Sequence, residues 1–63
     1  MIQKKILVID DERDIRDNIQ RILSAAGYFV QTADTLRNAI KILVEQPAFD
    51  LITCDVMIPA AGG

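Results

Sequence analysis

One run of apolar residues restricts the fold of this 63-residue chain more than any other feature of its sequence. Lys5-Ile6-Leu7-Val8-Ile9 is rich in β-branched residues and passes directly into two acids, Asp10 and Asp11. Polar and apolar side chains do not alternate in it, which is typical of a strand buried on both faces in a parallel sheet. Parallel strands need long crossover connections, which are usually helices. The run therefore predicts an α/β fold.

Two later segments carry the periodicity of amphipathic helices. In the first, apolar residues recur every three or four positions from Ile15 to Ala26, and Gly27 is placed to end the helix. Asp34 is the expected N-cap of the second helix, and Pro47 is the signal that ends this helix. The apolar stripe expected on this second helix consists of Leu36, Ala39, Ile40, Leu43 and Val44.

Two further strands are expected at residues 28–33 and 49–54, and a loop at 56–63. The order strand, helix, strand, helix, strand indicates two crossovers, which are nearly always right-handed. These crossovers lie either on one face of the sheet or on opposite faces. In the second case the first strand is central, the strand order is 2-1-3, and ligands bind beyond the carboxyl ends of the strands at that switch point.

Acidic residues follow two of the expected strands. Asp10 and Asp11 follow the first strand, and Asp55 follows the third. If these strands are parallel neighbours, about 4.8 Å apart, the three carboxylates converge at one edge of the sheet. Oxygen ligands alone favour hard cations such as Mg²⁺, and a carboxylate beside such an ion can act as a nucleophile towards phosphorus. Each acid taken singly is also explained as a cap or turn residue; the joint placement favours a metal site.

The composition argues against several other classes of protein. A single cysteine, Cys54, cannot form an internal disulfide, and without His a structural zinc site is not expected. We interpret Cys54 as a small buried hydrophobe. No apolar run approaches the roughly 20 residues of a membrane span, and a net charge of −2 argues against nucleic-acid binding. We therefore expect a cytoplasmic chain that contacts neither membrane nor nucleic acid.

Two motifs resemble the receiver domain of bacterial two-component response regulators. Residues 6–12, ILVIDDE, resemble its first strand and acidic pair. Residues 49–59, FDLITCDVMIP, resemble its phospho-acceptor strand and the loop that follows. The separation of the two motifs and the pattern between them also suit the family. The resemblance implies a flavodoxin-like, doubly wound parallel sheet with strand order 2-1-3, of which residues 1–63 would form the N-terminal half.

The resemblance also implies roles for individual residues. Asp55 matches the aspartate that takes a phosphoryl group from a histidine kinase, a phosphotransfer protein or a small phosphodonor. Asp11 matches the acid that binds Mg²⁺ directly, and Asp10 the acid that acts largely through water. Met57 matches the position whose backbone carbonyl completes the metal site. A receiver domain assists only its own phosphorylation and dephosphorylation, so we do not expect an enzyme.

The five-stranded receiver fold is about twice as long as this chain. The family's hydroxyl residue after strand four and lysine after strand five have no counterpart here, so we expect weak or no phosphorylation of the chain alone. We also expect self-association through the apolar edge of strand 49–55, in a dimer that completes the sheet. The remaining basic residues considered are interpreted as solvated surface: Lys4, Lys5, Lys41, Arg13, Arg16 and Arg21.

Two alternative functions compete with the receiver interpretation. The first is a structural, self-associating α/β fragment whose acidic site is vestigial. The second is an aspartyl-phosphate phosphatase of the haloacid-dehalogenase type, a family that places a second Asp two residues after its nucleophile. The residues two positions after Asp10 and Asp11 are Glu12 and Arg13, which argues against the phosphatase.

Overall fold

The computed structural model describes residues 3–55, which form one three-stranded parallel sheet and two helices. The strand order is 2-1-3, and the first strand is parallel to both neighbours. The predicted α/β class and this strand order are confirmed. In chain order the elements are β1 (Lys5–Ile9), α1 (Arg13–Ala25), β2 (Phe29–Ala33), α2 (Leu36–Glu45) and β3 (Leu51–Cys54).

Strand β1 is buried on both faces because the two helices cover opposite sides of the sheet. Leu7 and Ile9 face α2, where they pack with the buried Ala33 and Ala39. The alternate β1 residues face α1, where the cluster comprises Ile6, Val8, Val30, Ile19 and Leu23. Consecutive side chains of a strand point to opposite faces, so a strand covered on both sides needs apolar residues at every position. This requirement explains the uninterrupted run that predicted the fold.

Helix α1 ends at a glycine, as the sequence predicts. Gly27 has φ +99°, a left-handed conformation that L side chains rarely adopt. Its N–H donates to the Ser24 carbonyl at 3.0 Å, and the Tyr28 N–H donates to the Leu23 carbonyl at 3.1 Å. These two bonds are those of a Schellman motif, which satisfies carbonyls that the last turn leaves unpaired. The turn sends the chain back into β2.

Helix α2 begins one residue later than predicted. The N-cap is Thr35, not Asp34: its hydroxyl oxygen accepts a hydrogen bond from the Asn38 N–H at 3.1 Å. Thr35 has the extended backbone conformation of an N-cap residue, and the amide that its side chain caps belongs to the residue three positions later. Asp34 instead accepts a hydrogen bond from the side-chain amide of Asn38.

The apolar faces of the two helices are wider than the surfaces they bury. Ile40 and Val44, assigned to the packed stripe of α2, are exposed, and so is Ile22 of α1. The residues of α2 that pack on the sheet are Leu36, Ala39, Ile42 and Leu43. Both helices lie over β1 and β2, and neither approaches β3 closely. Because each helix covers only two strands, part of its apolar face stays exposed.

The amino ends of the strands are joined by contacts of Lys5, so the prediction that Lys5 lies on solvated surface is wrong. Its Nζ lies 4.8 Å from the ring centroid of Phe49 and 5.7 Å from that of Phe29. Its backbone N–H donates to the Asp50 carboxylate at 2.8 Å, and the Asp50 N–H donates to the Lys5 carbonyl at 2.8 Å. Lys5 therefore links β1 to the start of both neighbouring strands.

Strand β3 is the most exposed part of the sheet. Leu51 is 54% exposed, and Ile52 is exposed as well. Cys54 is also exposed, so its interpretation as a buried hydrophobe is wrong. Within residues 3–55, β3 pairs with a strand on one side only. No helix in this described range is long and apolar enough to cross a membrane.

Candidate functional site

The carboxyl ends of β1 and β3 bring three acids together. Asp10, Asp11 and Asp55 each offer a carboxylate oxygen, and the three oxygens lie within 4.8 Å of one another. The Asp55 N–H donates to the Ile9 carbonyl at 3.0 Å, which extends the pairing of β1 and β3 to the acid itself. We call these three residues the acidic cluster. The predicted convergence at the switch point of the sheet is therefore what the structure has.

Asp10 is the rigid member of the acidic cluster. It is 7% exposed and is the one buried polar residue among residues 3–55. Its N–H donates to the Ala33 carbonyl at 3.1 Å, and its Oδ1 accepts a hydrogen bond from the Glu12 N–H at 2.8 Å. A buried carboxylate with fixed hydrogen bonds holds its orientation, so the Asp10 carboxylate has the most fixed position of the three.

The other two acids are progressively more open to solvent. Asp55 is half-buried, and Asp11 is exposed at the bend between β1 and α1. A recess of about 330 Å³ adjoins the cluster on the α1 face of the sheet. It is lined by Val8, Ile9, Asp10, Ile19, Thr53, Cys54 and Asp55. A ligand from solution can therefore reach Asp55 and Asp11 directly, while Asp10 lies at the buried side of the cluster.

The donor set of the acidic cluster fits a hard divalent cation. All three donors are carboxylate oxygens, and three like charges so close together repel each other unless a cation or protons intervene. Opposite ligands of an octahedral Mg²⁺ are roughly 4.2 Å apart, only slightly less than the 4.8 Å that bounds the cluster. Small side-chain rotations or a bridging water would close this difference. Met57, whose carbonyl was predicted to complete the site, lies outside the described residues.

Arg16 is a site residue that the sequence interpretation missed. The sequence predicts that it lies on solvated helical surface, but its Nη1 donates to the Asp10 carbonyl at 2.8 Å and the residue is half-buried. Arg13 does match that prediction, since its side chain is 84% exposed and lies 3.8 Å from Asp17. Arg16 could have been found from its position in the first turn of α1, because helical side chains lean back towards the N-terminal end.

A fourth acid, Asp34, follows β2 on the other side of β1 and does not belong to the acidic cluster. Its pKa is lowered from its ordinary value, chiefly by the hydrogen bond from the Asn38 side chain, with smaller contributions from its own backbone and from the Arg16 charge. It borders a second recess of about 370 Å³, lined by Arg16, Thr32, Ala33, Asp34, Asn38, Lys41 and Ile42. Arg16 therefore lies between the two acidic strand ends.

The strand order and the acidic cluster define a doubly wound α/β protein with a candidate cation site at its switch point. The sequence model of the response regulator receiver domain matches residues 6–63, and the chain belongs to this family. It is 37% identical over 59 residues to Response regulator MprA of Mycolicibacterium vanbaalenii, which covers 94% of this chain and 25% of that protein.

A second relative is the alkaline phosphatase synthesis transcriptional regulatory protein PhoP of Bacillus subtilis. It is 44% identical over 63 residues, covering 98% of this chain and 25% of PhoP. The crystal structure of a response regulator receiver domain protein from Clostridium thermocellum superposes with a TM-score of 0.85 at 36% identity, covering 90% of this chain and 46% of that one. The chain thus spans about a quarter of these curated relatives and just under half of the solved receiver domain.

Proposed function

We propose that this chain is a phospho-acceptor module of a two-component response regulator and that Asp55 takes the phosphoryl group. The observation that carries the proposal is the acidic cluster, three carboxylates within 4.8 Å at the carboxyl edge of the sheet. Membership of the receiver domain family supports it. We place the chain in the cytoplasm, where a histidine kinase or a phosphotransfer protein would be the donor, and we expect no nucleic-acid contact from this segment.

In the proposed step an Asp55 carboxylate oxygen attacks the phosphorus of the partner's phosphohistidine. A P–O bond forms, the P–N bond breaks, and its electron pair returns to the imidazole nitrogen of the donor. Asp10, Asp11 and Asp55 would hold Mg²⁺, with the Met57 carbonyl as a further ligand. When bound, the cation would neutralise charge on the oxygens of the transferring group. The chain would have no other substrate and would not be an enzyme in the ordinary sense.

The surroundings of Asp55 are suited to such a step. Its position at the end of the exposed strand β3, beside an open recess, lets a donor approach from solution. Asp10 is held by the Glu12 N–H, so it offers a fixed oxygen and needs no rearrangement when a cation binds. Phosphoryl transfer depends almost entirely on positioning and charge stabilisation. We therefore expect slow phosphorylation, because two of the family's phosphoryl-contacting residues have no counterpart in this sequence.

Intact-mass spectrometry tests the proposal directly. We expect the chain, incubated with Mg²⁺ and acetyl phosphate, to gain the mass of one phosphoryl group, and Asp55→Asn to gain none. Asp34→Asn is the matched control, because Asp34 also ends a strand but lies outside the cluster; it should still form the adduct. An adduct that persists in Asp55→Asn would contradict the assignment. Mg²⁺ binding without any adduct would favour the alternative, a self-associating fragment with a vestigial site.

The exposure of β3 favours a second, compatible role in self-association. Leu51 and Ile52 are exposed beside a strand edge that pairs with nothing else among residues 3–55. Unpaired N–H and C=O groups flanked by apolar side chains provide a template for another strand. We propose a twofold dimer that forms through strand 49–55, as the simplest closed arrangement.

Sedimentation velocity over a range of micromolar concentrations tests the dimer. We expect the dimer fraction to rise with concentration and to fall in Leu51→Lys, because a charge on an edge strand blocks pairing. Ile22→Lys is the control, since it places the same charge at an exposed apolar site on α1, away from β3. A compact monomer at every concentration, with a cooperative melting transition, would rule out self-association.

A further inference from the structure

The side chain of Arg16 bonds to the backbone of the turn between β1 and α1, residues 10–12. Its Nη1 donates to the Asp10 carbonyl at 2.8 Å, while its own N–H donates to the Glu12 carbonyl at 3.0 Å. One residue therefore contacts the turn twice, through its side chain and through its backbone. Substitution can remove only the first of these contacts.

The contact fixes the residue that follows Asp10. The Asp10 carbonyl and the Asp11 N–H belong to one planar peptide unit, so fixing the carbonyl fixes the plane from which Asp11 departs. Asp10 is already anchored on its other side by the bond from its N–H to the Ala33 carbonyl. With both ends held, the exposed Asp11 is directed towards the acidic cluster by its backbone.

The position of Arg16 distinguishes it from the other arginines of α1. Arg16 is half-buried, and its guanidinium donates a hydrogen bond to the backbone of a residue of the acidic cluster. The charge of Arg16 opposes the binding of another cation, so the effect that we expect from Arg16 comes from its hydrogen bond and not from its charge. The two other arginines of α1, Arg13 and Arg21, are exposed and cannot act this way.

We propose that Arg16 is a positioning residue, whose guanidinium holds the Asp10–Asp11 turn so that the acidic cluster is preformed for a divalent cation. The cation part of this inference rests on the proposed metal site; the turn-holding part does not. Arg16 itself is not a ligand, because it carries no acceptor. Groups that orient metal ligands typically change metal affinity by about 10- to 100-fold when removed.

Amide hydrogen exchange, followed by NMR without metal, tests the turn-holding part. The Glu12 amide is the reporter, since it donates to Asp10 Oδ1 across the turn, and the Asp10 amide, bonded to Ala33, is the internal reference. Arg16→Ala should raise Glu12 exchange by about tenfold and leave the Asp10 amide unchanged. Arg16→Gln, which keeps most of the aliphatic stem, gives the same test if the alanine variant fails to fold.

Calorimetric titration with Mg²⁺ alone tests the cation part. Arg16→Ala and Arg16→Gln should bind Mg²⁺ about tenfold more weakly than the unsubstituted chain, and Arg16→Lys, which keeps a charge and a donor, should recover part of the affinity. Arg13→Ala removes the same charge from an exposed position and should change the affinity by less than about twofold. A merely structural role would lower the melting temperature in parallel with the affinity; we expect affinity to fall at an unchanged melting temperature.

The outcomes separate this inference from the proposed function. Faster Glu12 exchange together with weaker Mg²⁺ binding supports both. Faster exchange in a chain that binds no Mg²⁺ supports the positioning role and contradicts the metal site. Unchanged exchange overturns the inference, and so does an equal loss of Mg²⁺ affinity in Arg16→Ala and Arg13→Ala.

Discussion

Strands β1 and β3 have similar apolar sequences and opposite environments. They are aligned side by side, with Ile6 opposite Leu51 and Leu7 opposite Ile52. Leu7 is 0% exposed, whereas Leu51 is 54% exposed. The difference arises because β1 has a strand on each side and a helix over each face, while both helices lie over β1 and β2. The comparison shows that apolarity alone does not tell a central strand from an edge strand.

The acidic cluster joins these two strands and shares their asymmetry. Asp10, at the end of the buried strand, is itself buried and fixed by hydrogen bonds. Asp55, at the end of the exposed strand, is half-buried beside an open recess. The proposed acceptor is thus on the accessible strand, and the fixed oxygen is on the rigid one. A nucleophile that must meet a partner protein benefits from this division.

The largest effect should come from matched truncations on the two strands. Leu7→Ala leaves a cavity in the centre of the sheet and should lower the free energy of unfolding by about 2–5 kcal/mol, enough to unfold a chain of this size. Leu51→Ala makes the same chemical change at a half-exposed position and should cost less than about 1 kcal/mol.

Urea denaturation followed by circular dichroism, at one fixed chain concentration, measures both values. Equal losses in the two variants would mean that β3 is as buried as β1 in solution. A dimer through the β3 edge would produce that result, so the measurement should be repeated at a concentration where sedimentation shows monomer.

The buried residues at the centre of the fold were predictable from the sequence, and the exposure of residues at its edges was not. A run with apolar residues at every position implies a strand covered on both faces, and acids directly after parallel strands imply a shared edge. Leu7 and the acidic cluster followed from these rules. Ile40, Val44 and Cys54 did not, because their exposure depends on which strands each helix covers.

The errors on charged residues have a different physical origin. Lys5 and Arg16 are long side chains that bury their stems while their charged ends find local partners. A sequence gives their charge but not the rings or carbonyls within their reach. The N-cap of α2 is Thr35 and not the predicted Asp34 for a similar reason. Both residues are good caps, and only the backbone conformation decides between them.

A smaller effect is expected at the amino ends of the strands, where Lys5 ties β3 to β1. Lys5→Met keeps the aliphatic stem but loses the cation over the Phe29 and Phe49 rings, and should lower the free energy of unfolding by about 1–2 kcal/mol. Lys4→Met, at an exposed neighbouring position, is the control and should have little effect. Thermal melting compares the two; equal melting temperatures would mean that the ring contacts contribute nothing.

A still smaller effect, of opposite sign, is expected in the acidic cluster. Asp11→Asn removes one of three carboxylates that repel each other, so it should raise the free energy of unfolding in a metal-free buffer. The increase should not exceed about 1 kcal/mol, because solvent screens the charge of the exposed Asp11. With saturating Mg²⁺ the sign should reverse, since the unsubstituted chain gains binding energy that the variant loses. Denaturation with and without Mg²⁺ measures the difference. An Asn variant that gains as much from Mg²⁺ as the unsubstituted chain would exclude Asp11 as a ligand.

The smallest effect concerns Asp34, which follows β2 as Asp55 follows β3 but lies outside the acidic cluster. Its pKa is lowered mainly by the Asn38 side chain, so the folded state favours the charged form. A lowered pKa stabilises the fold above the ordinary pKa of the group, and that contribution is lost as the pH falls through the folded value. Asp34→Asn should therefore melt slightly below the unsubstituted chain near neutral pH, and the gap should close below about pH 4. Asn38→Ala, which removes the donor, should remove most of the same pH dependence. Melting curves that stay equally separated at every pH would show that the charge of Asp34 plays no part in stability.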